Sequence, residues 1–565
     1  MLEGTLGTRF VPGSNLKGDL AGANWWYLLP SLEAERVVCL GVPSRAALST
    51  LSRASKEVVV CSTATSRSRE LKRLERGFPG VRVVRVAHGQ GLPLPDGCAD
   101  VVAIVGRAWA RRIGRDPSLL DHVATALRPG GTVYVELDRV AGSRGRRAIV
   151  ERFGEPLLLW LGPATGEVRT AAPAGQHSAV SYLERRWLRR PASRQILRHP
   201  GRFATRHPLA VRLARRRGIV IDVPSGRATR RQPPPVPGAL AGQAEIGMDG
   251  RSWAFSAPGA YNSQKVLYLL FDQQGERPEY VVKMTRDPAF NGRLENEWRA
   301  LTLLAEQGIG DAETLPRPTF LGRHAGLAVL GETAVVGAPF LQRTEAIAQC
   351  PHARDAVDWL VNLAGTTAGR RVGAADAAVA LGMLRDRFLE LYTFDPGLGI
   401  FLADQIDNVA ASPSEFPLVF QHGDPGCWNL VVTQSGRLGF LDWEAAEPNG
   451  MPLWDLFYFL RSYGVAVSRA AGTHDPTESF VGHYLEESDL GLILVDAVRL
   501  VCERTRLDPS LVEPLFYTCW MHRALKEATR LRPNRLESGT YVRLLRLCAA
   551  RRDAPGLRRL FSLSL

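Results

Sequence analysis

The chain has 565 residues, more than one ordinary hydrophobic core accommodates, so its length predicts two or three domains. Hydrophobic residues make up 45% and charged residues 23%, which is typical of a globular protein and excludes a disordered one. The eight cysteines form no C-x-x-C pair, which argues against a zinc site or a disulfide framework and favours a cytoplasmic location. Because no apolar run reaches the length of a membrane span, a spanning segment is not expected.

Strand and helix patterns alternate along the N-terminal part of the chain. Short apolar runs predict strands, and amphipathic stretches between them predict helices. Such alternation is typical of a doubly wound α/β domain with a parallel sheet. The predicted strands are 36–41, 57–61, 81–86, 100–105 and 132–137, and the predicted helices are 44–52, 66–76 and 117–127.

A helix that ends in Leu127-Arg128-Pro129-Gly130-Gly131 leads directly into the apolar strand 132–137. This pattern resembles the class I S-adenosylmethionine-dependent methyltransferases, and Leu94-Pro95-Asp96 ahead of the strand 100–105 adds to the resemblance. The resemblance covers residues 25–180 and implies a methyltransferase-like domain.

Two segments depart from the methyltransferase pattern where the cofactor would bind. The first strand-to-helix turn reads Gly41-Val42-Pro43-Ser44-Arg45, where that family usually has G-x-G-x-G. A proline fixes φ, and an arginine side chain would crowd a nucleoside that approaches the backbone. Cys61-Ser62 follow the second strand, where an acidic residue would bind the ribose hydroxyls. We therefore expect a degenerate domain that does not bind S-adenosylmethionine, with active methyl transfer as the alternative.

Residues 181–240 are read as a basic amphipathic stretch followed by a proline-rich linker. Much of the formal charge of +14 lies in 184–218, where arginines alternate with apolar residues. Such a stretch can be a solvated helical face, lie on an anionic membrane surface, or meet a polyanion. No recognisable module for specific nucleic-acid binding accompanies it. The run 231–238 contains consecutive prolines and marks the boundary before a third segment, residues 241–565.

The next segment contains a lysine at the end of an apolar strand. Lys283 closes Val281-Val282-Lys283, and Glu297 opens an amphipathic helix fourteen residues later. Between two earlier strands, the segment 256–263 contains Gly259, Asn262 and Ser263. Gly259 allows a tight turn close to a phosphate, although a plain hairpin fits this segment as well.

The segment Val419 to Glu444 contains Asp424, Asn429 and Asp442 at spacings that suit metal-assisted phosphoryl transfer. The runs 429–433 and 438–442 predict a hairpin that turns at Ser435-Gly436. If Gln434 pairs with Arg437, Asn429 lies directly opposite Asp442. An amide oxygen and a carboxylate that close can share a magnesium ion, which prefers oxygen ligands. Asp424 then lies where it can accept a proton from a hydroxyl group.

His422-Gly423-Asp424 with Asn429 resembles the H-G-D-x-x-x-x-N loop of the aminoglycoside phosphotransferase and choline kinase family. Leu441-Asp442-Trp443-Glu444 resembles its metal-binding segment. The resemblance implies that Asp424 is the catalytic base and that Asn429 and Asp442 bind Mg²⁺. It also implies that the nucleotide meets Lys283, which Glu297 holds in place, and the loop with Gly259, Asn262 and Ser263. His422 is expected to be a packed loop residue.

The sequence therefore predicts a multidomain protein of α/β plus α+β class. Its N-terminal part would be a doubly wound methyltransferase-like sheet. Its C-terminal part would be a bilobal protein-kinase-like fold with an N-lobe at 241–340 and a C-lobe at 341–565. The predicted function is Mg²⁺-dependent transfer of the γ-phosphoryl group of ATP, with GTP as the alternative nucleotide, to a hydroxyl group of a small molecule. The alternatives are a non-catalytic scaffold, a bifunctional kinase-methyltransferase, and a peripheral protein that contacts the inner membrane surface through 184–218.

Overall fold

The computed structural model describes residues 21–63, 68–87, 91–104, 107–137, 142–154, 157–161, 168–188, 216–222, 236–248, 251–257, 265–272, 275 and 277–563. They form two compact units. The N-terminal unit contains the described residues up to Leu294 together with Thr319–Ala334. The C-terminal unit contains Glu295–Pro318 and the chain from Val335 onward. This division differs from the domains drawn from the sequence, because most of the predicted N-lobe lies in the N-terminal unit.

One sheet of thirteen strands runs through the described part of the N-terminal unit, in the order β12-β13-β11-β10-β9-β7-β6-β8-β5-β4-β1-β2-β3. Its strands are β1 Ala34–Leu40, β2 Ser55–Thr63, β3 Val81–Val86, β4 Ala99–Ile104, β5 Leu127–Leu137, β6 Leu157–Leu161, β7 Thr170–Pro173, β8 Arg216–Asp222, β9 Trp253–Ser256, β10 Lys265–Phe271, β11 Pro278–Thr285, β12 Pro318–His324 and β13 Leu327–Thr333. The helices of this part are α1 Arg45–Ala54, α2 Ser68–Gly77, α3 Arg107–Arg115, α4 Leu119–Ala126, α5 Gly142–Phe153, α6 His177–Leu188 and α7 Val236–Gln243.

The first five strands are parallel and lie in the order β3-β2-β1-β4-β5. Apolar residues on both faces explain this arrangement, since a parallel sheet with helices on its two faces is buried on both sides. Val37, Val38 and Cys39 of β1, for example, are all fully buried. The predicted doubly wound, methyltransferase-like sheet is confirmed.

The described positions of 181–240 contain the end of α6, the strand β8 and the start of α7, and the prediction of a basic stretch and linker missed β8 and α7. β8 pairs antiparallel with β5 on one side and with β6 on the other. Helix α7 begins at Val236, directly after the prolines. Prolines are tolerated in the first turn of a helix, so the proline run precedes a helix rather than excluding one. The remaining positions of the stretch, 189–215 and 223–235, lie outside the described residues.

The sheet continues without a break from the methyltransferase-like strands into the strands that the sequence assigns to the N-lobe. β7 pairs with β9 through Thr170↔Ser256 and Ala171↔Phe255. The amide of Ala257 donates to the carbonyl of Arg169 at 2.7 Å, just beyond these pairs. The four strands that follow β9 in the sheet, β10 to β13, therefore belong to the same sheet as β1.

One hydrophobic core extends across this junction on the side of the sheet where Ala171 and Phe255 lie. The 3₁₀ segment Ala21–Leu28 lies on the sheet, where Trp25 stacks on Tyr134 of β5 with ring centroids 4.9 Å apart. Two residues later, the carbonyl of Tyr27 accepts a hydrogen bond from Tyr268 of β10 at 2.8 Å. Because an apolar segment spans both parts of the sheet, the predicted boundary near residue 240 is not a boundary between hydrophobic cores.

The C-terminal unit is mainly helical and carries two small sheets. Its strands are β14 Gly337–Pro339, β15 Arg370–Val372, β16 Phe416–Gln421, β17 Leu430–Thr433, β18 Leu438–Phe440 and β19 Glu447–Gly450. The helix α8 Asn291–Glu306 extends into this unit, and it is followed by α9 Phe340–Arg343, α10 Pro351–Thr367, α11 Ala374–Leu391, α12 Pro396–Ala410, α13 Trp454–Ala470, α14 Pro476–Phe480, α15 Asp489–Thr505, α16 Val512–Ala528, α17 Thr540–Ala550 and α18 Pro555–Phe561.

The eight cysteines are all buried and unpaired. In the part of the chain that the structure describes, no helix combines the length and the apolar character that a membrane crossing requires.

Candidate active site

The hairpin β17–β18 carries the segment in which the sequence places the metal ligands. Its strands pair as Leu430↔Phe440 and Val432↔Leu438, and the amide of Leu441 donates to the carbonyl of Asn429 at 2.8 Å. Asn429 therefore lies opposite Leu441, and the predicted pairing with Asp442 is wrong by one residue. The turn explains the error. The amide of Thr433 donates to the carbonyl of Arg437, which makes a three-residue loop with Gly436 at φ +86° instead of a two-residue turn.

Asp442 follows the hairpin in the left-handed region, with φ 71° and ψ 62°. Aspartate is among the non-glycine residues that tolerate this conformation. The backbone directly after it is held by α8: the Glu297 carboxylate accepts from the amide of Trp443 at 2.9 Å, and the amide group of Asn296 donates to the carbonyl of Ala446 at 2.8 Å. The beginning of α8 thus fixes the backbone next to Asp442.

The loop 422–429, which the sequence predicts to be the catalytic loop and which keeps that name below, follows β16 and is held by one carboxylate. Both oxygens of Asp455, at the start of α13, accept from backbone amides, from His422 at 2.6 Å and from Gly423 at 3.0 Å. Gly423 has φ +76°, and a Cβ at this position would overlap the carbonyl oxygen of Ala445. Glycine is therefore required here by both conformation and space. Asp455 therefore supports the backbone of the loop.

His422 is a packed loop residue in the structure, as the sequence predicts. Its ring lies 4.3 Å from that of Trp443, its Nδ1 accepts from the amide of Asp424 at 3.3 Å, and its Nε2 lies 3.0 Å from the carbonyl of Leu441. Burial lowers the pKa of His422, against the attraction of the neighbouring carboxylates. A neutral ring with the proton on Nε2 satisfies both contacts, so His422 connects the catalytic loop to the hairpin.

Asp424 and Asn429 lie in direct contact. The side-chain amide of Asn429 donates to the carbonyl of Asp424 at 2.9 Å and to its carboxylate Oδ2 at 3.3 Å. Since the amide nitrogen faces Asp424, the amide oxygen points elsewhere and keeps its capacity to bind a cation.

The other carboxylate oxygen of Asp424 is paired with an arginine that the sequence analysis missed. Arg523 on α16 donates through Nη2 to Asp424 Oδ1 at 3.0 Å and through Nη1 to the carbonyl of Gly423 at 2.9 Å. Burial alone would raise the pKa of Asp424, but the charges of Arg523 and Arg530 and the hydrogen bond from Arg523 outweigh it and hold that pKa below its usual value. Asp424 is therefore ionised at neutral pH.

Further titratable groups are buried behind the catalytic loop. The ammonium group of Lys526 donates to the carbonyl of Gly423 at 3.3 Å. Burial raises the pKa of Glu447 to about 7, opposed by the charge of Lys526. Burial lowers the pKa of His522 well below its usual value, and its ring stacks on Trp454 at 4.6 Å. Tyr517 and Trp520 of the same helix are fully buried and belong to the hydrophobic core.

Lys283 has a partner that the sequence did not predict. Its ammonium group forms an ion pair with Glu332 of β13 at 2.8 Å, and the two side chains are only 6% and 4% exposed. The predicted pair between Lys283 and Glu297 stays a prediction. Gly259, Asn262 and Ser263, assigned to the phosphate-covering loop, lie outside the described residues.

The predicted magnesium ligands are the right kind of donor. Asn429 and Asp442 offer an amide oxygen and a carboxylate, and Mg²⁺ usually takes one or two carboxylates together with substrate phosphates and water. Among the described residues, no cluster of three or more histidine, cysteine, aspartate or glutamate side chains has the geometry of a metal site. The two residues offer the oxygen donors that Mg²⁺ takes up together with substrate phosphates.

The first turn of the methyltransferase-like sheet is held by a contact with β2 and by a cap from its own serine. Gly41, at φ +112°, donates its amide to the carbonyl of Cys61 at 3.0 Å. Ser44 then caps α1, because its hydroxyl accepts from the amide of Ala47 at 3.1 Å. Cys61 and Ser62 at the end of β2 are buried. The helix N-terminus at which such folds bind a cofactor thus already carries a side-chain cap.

Residues 262–488 match the model of the phosphotransferase enzyme family. The prediction of a phosphotransferase domain in the C-terminal part is therefore confirmed. A comparison with curated protein sequences gives no match.

Several solved structures are similar to parts of the chain. Aminoglycoside phosphotransferase APH(3'')-Id from Streptomyces rimosus, solved with ADP and streptomycin, is 18% identical over 52% of this chain and 98% of its own, with a TM-score of 0.29. WbdD, solved with a kinase inhibitor, is 13% identical over 85% of each chain, with a TM-score of 0.21. The YcgJ protein from Bacillus subtilis is 19% identical over 19% of this chain, with a TM-score of 0.16, and this chain spans 44% of its length. Methyltransferases are also among the similar structures.

Proposed function

We propose that the C-terminal part transfers the γ-phosphoryl group of ATP to a hydroxyl group of a small-molecule acceptor. The observation that carries this proposal is the arrangement around Asp424. Its carboxylate is kept ionised beside Arg523, and it contacts Asn429, whose amide oxygen is directed away from it. GTP is the alternative nucleotide.

Asp424 would accept a hydrogen bond from the acceptor hydroxyl and take up its proton. A carboxylate has about four lone-pair sites, and the contacts with Arg523 and Asn429 use two of them. Because its pKa is low, Asp424 is a weak base that orients the hydroxyl more than it activates it. That suits phosphoryl transfer, in which the transition state is loose and catalysis depends mainly on positioning and charge neutralisation.

Asn429 and Asp442 would hold Mg²⁺, which would neutralise charge on the phosphate oxygens during the transfer. Lys283 would contact the nucleotide phosphates, and the ion pair with Glu332 already holds its ammonium group in a buried position. The loop with Gly259, Asn262 and Ser263 would cover the phosphates.

For the N-terminal part we propose a scaffold role without S-adenosylmethionine binding. The capped turn at Ser44 and the continuous sheet support this assignment. We propose a cytoplasmic location, which the eight unpaired cysteines support. Contact of residues 184–218 with a membrane surface stays a prediction from the sequence.

The test is nucleotide turnover by the full chain with Mg²⁺, ATP or GTP, and a pool of small hydroxyl compounds. We expect acceptor-dependent turnover that falls about 10³-fold in Asp424→Asn, since this variant loses both the anionic group that orients the hydroxyl and the proton acceptor. Asp475→Asn is the matched control, because Asp475 accepts from two backbone amides at the start of α14, outside the site. Absence of turnover together with absence of Mg²⁺-dependent nucleotide binding would favour the non-catalytic scaffold instead.

A further inference from the structure

Arg523 makes two contacts with consecutive residues of the catalytic loop, although it lies far away in the sequence. Its side chain is only 6% exposed. Nη1 donates to the carbonyl of Gly423 at 2.9 Å, and Nη2 donates to Asp424 Oδ1 at 3.0 Å. One planar group thus binds the backbone of the loop and the carboxylate that the loop presents.

A planar fork fixes an orientation as well as a distance. The nitrogens of a guanidinium group are rigidly connected, so two contacts made by one group also set the angle between their partners. The carbonyl of Gly423 is part of the backbone, so it serves as a fixed reference. Relative to it, Arg523 limits the rotation of the Asp424 carboxylate. Asn429 contacts the other carboxylate oxygen at 3.3 Å and limits that rotation further.

Arg523 is itself held by aromatic rings. Its guanidinium carbon lies 3.4 Å from the centre of the Tyr458 ring and 5.6 Å from that of Tyr541. Cation–π contacts of this kind are stronger when the cation is withdrawn from water. Tyr458 lies on α13 three residues after Asp455, hence on the same face of the helix. Asp455 binds the amides of His422 and Gly423, so α13 supports the loop both directly and through Arg523.

We propose that Arg523 is a positioning residue for phosphoryl transfer, which orients the Asp424 carboxylate toward the acceptor hydroxyl. This inference rests on the proposed function. Arg523 acts through Asp424, so its loss should reduce kcat and leave the KM values for nucleotide and acceptor nearly unchanged. A misplacement of about 1 Å in a reacting group can cost roughly 10²-fold in rate.

Arg523→Lys is the most informative variant. A lysine keeps the positive charge but presents a single ammonium group, which cannot hold the carbonyl and the carboxylate with the geometry of a fork. Lys526 still donates to the carbonyl of Gly423 in this variant, so the loop keeps one of its supports. We therefore expect a folded protein with a misoriented Asp424.

Arg546→Lys is the matched control. Arg546 has the same three kinds of partner: it donates to the carbonyl of Thr393 at 2.9 Å, pairs with the carboxylate of Glu537, and lies 4.7 Å from the ring centre of Phe394. None of these partners belongs to the catalytic loop. Arg546 makes both polar contacts through Nη2 and is 35% exposed, so the same substitution there changes the same kinds of partner without touching Asp424.

The experiment measures kcat, both KM values and the melting temperature of wild type, Arg523→Lys and Arg546→Lys. We expect kcat to fall about 10²-fold in Arg523→Lys, with KM values within about threefold, and no change of kcat in Arg546→Lys. If Arg523→Lys does not fold, Tyr458→Leu replaces it; this variant leaves Arg523 in place without its ring and should lower kcat at unchanged KM.

Two results would overturn the proposal while leaving the phosphotransferase assignment intact. One is an active wild type whose kcat changes less than threefold in Arg523→Lys or its substitute. The other is a rise in the acceptor KM at unchanged kcat, which would make Arg523 a substrate-binding residue. A wild type without turnover is a different result: it overturns the proposed function itself, and the positioning role with it.

Discussion

The catalytic loop of the C-terminal unit and the first strand-to-helix turn of the N-terminal unit start alike and are supported differently. Each follows a buried strand and contains a glycine with positive φ, Gly423 at +76° and Gly41 at +112°. At Gly423 the supporting groups come from residues far away in the sequence, Asp455 and Arg523. At the Gly41 turn, Ser44 caps the helix locally.

The difference matches the roles proposed for the two segments. Side chains from α13 and α16 support the loop 422–429, whereas the N-terminal turn has one backbone contact with Cys61 and a local cap from Ser44. We therefore expect changes in the N-terminal part to act on folding alone, and changes around the loop 422–429 to act on the rate of reaction as well.

The largest effect is expected from removing the N-terminal part. A shortened chain of residues 241–565 lacks β7, so β9 loses its neighbour, and Trp253 and Phe255 lose cover that now buries them almost completely. We expect little folded protein by circular dichroism and sedimentation. Co-expression of residues 1–240 supplies β7 again and should restore solubility. A stable, active 241–565 fragment would show that the shared sheet is dispensable.

Two glycines allow the effect of steric overlap on stability to be distinguished from the effect of backbone conformation. Gly423 and Gly436 both have positive φ, but only at Gly423 would a new Cβ meet neighbouring atoms. We expect Gly423→Ala to lower the free energy of unfolding by about 3 kcal/mol, because an overlap with backbone adds to the cost of the left-handed conformation. Gly436→Ala should cost about 1 kcal/mol. Urea unfolding measures both values, and equal losses would contradict the close approach to Ala445.

Asp455→Asn tests the support of the loop backbone. The carboxylate accepts two amides with its two oxygens, whereas an asparagine has one acceptor oxygen and would turn an N–H₂ group toward the second amide. Loss of such an outer contact typically lowers activity roughly 10–100-fold. Asp475→Asn, which changes an aspartate that also accepts two amides, serves as the control. If kcat is unchanged in Asp455→Asn, the contacts of Asp455 are not what holds the loop in its active geometry.

A pH dependence of stability should come from Glu447. Burial raises its pKa to about 7 in the folded protein, above its usual value of 4.5. The folded state therefore binds the proton more tightly than the unfolded state. The resulting stabilisation is complete below pH 4.5 and is lost as the pH rises through about 7.

Glu447→Gln mimics the protonated group at every pH. Relative to this variant, the melting temperature of wild type should fall between pH 5 and pH 8. The shift in the pKa of Glu447 corresponds to a few kcal/mol of stability. The exposed Glu390, changed to Gln, is the control. Parallel melting curves of wild type and Glu447→Gln over this pH range would contradict a buried, protonated Glu447.

The smallest effect is expected when S-adenosylmethionine is added to the protein. Calorimetric titration of the full chain should give no binding heat, because Ser44 caps the helix that follows the turn and Pro43 and Arg45 replace glycines of the family pattern. Pro43→Gly with Arg45→Gly should leave phosphoryl transfer unchanged. Saturable binding by wild type would instead support the bifunctional enzyme.

The features that could be predicted from the sequence are those that depend on short, continuous segments of the chain. Asp424, Asn429 and Asp442 lie within one short segment, and the five parallel strands each have their own apolar run. The register of the hairpin was missed because it depends on the type of turn at Ser435-Gly436, which a strand pattern does not reveal. Arg523 was missed because the helix pattern of α16 shows a buried face but not which loop that face meets.

β8 was missed for a similar reason. Its apolar residues, Ile219, Val220 and Ile221, follow a run of arginines that dominates the local composition. The continuation of the sheet from β7 to β9 was also beyond the sequence, since the proline run between them favoured a boundary. Pairing between strands that are distant in the chain leaves no local signal, whereas the strands themselves do.

The strand order also has a consequence for synthesis of the chain. β8 lies between β5 and β6, both of which leave the ribosome before it. Until Arg216–Asp222 has been made, the β6–β7 pair cannot join the strands β1 to β5. During that time β6 and β5 each have an unpaired edge. Exposed edges invite wrong pairing with other chains. A proline in place of Val220 would remove an amide from a strand that has a neighbour on each side and so weaken its pairing, and nascent chains of this variant should require chaperones more than wild type does.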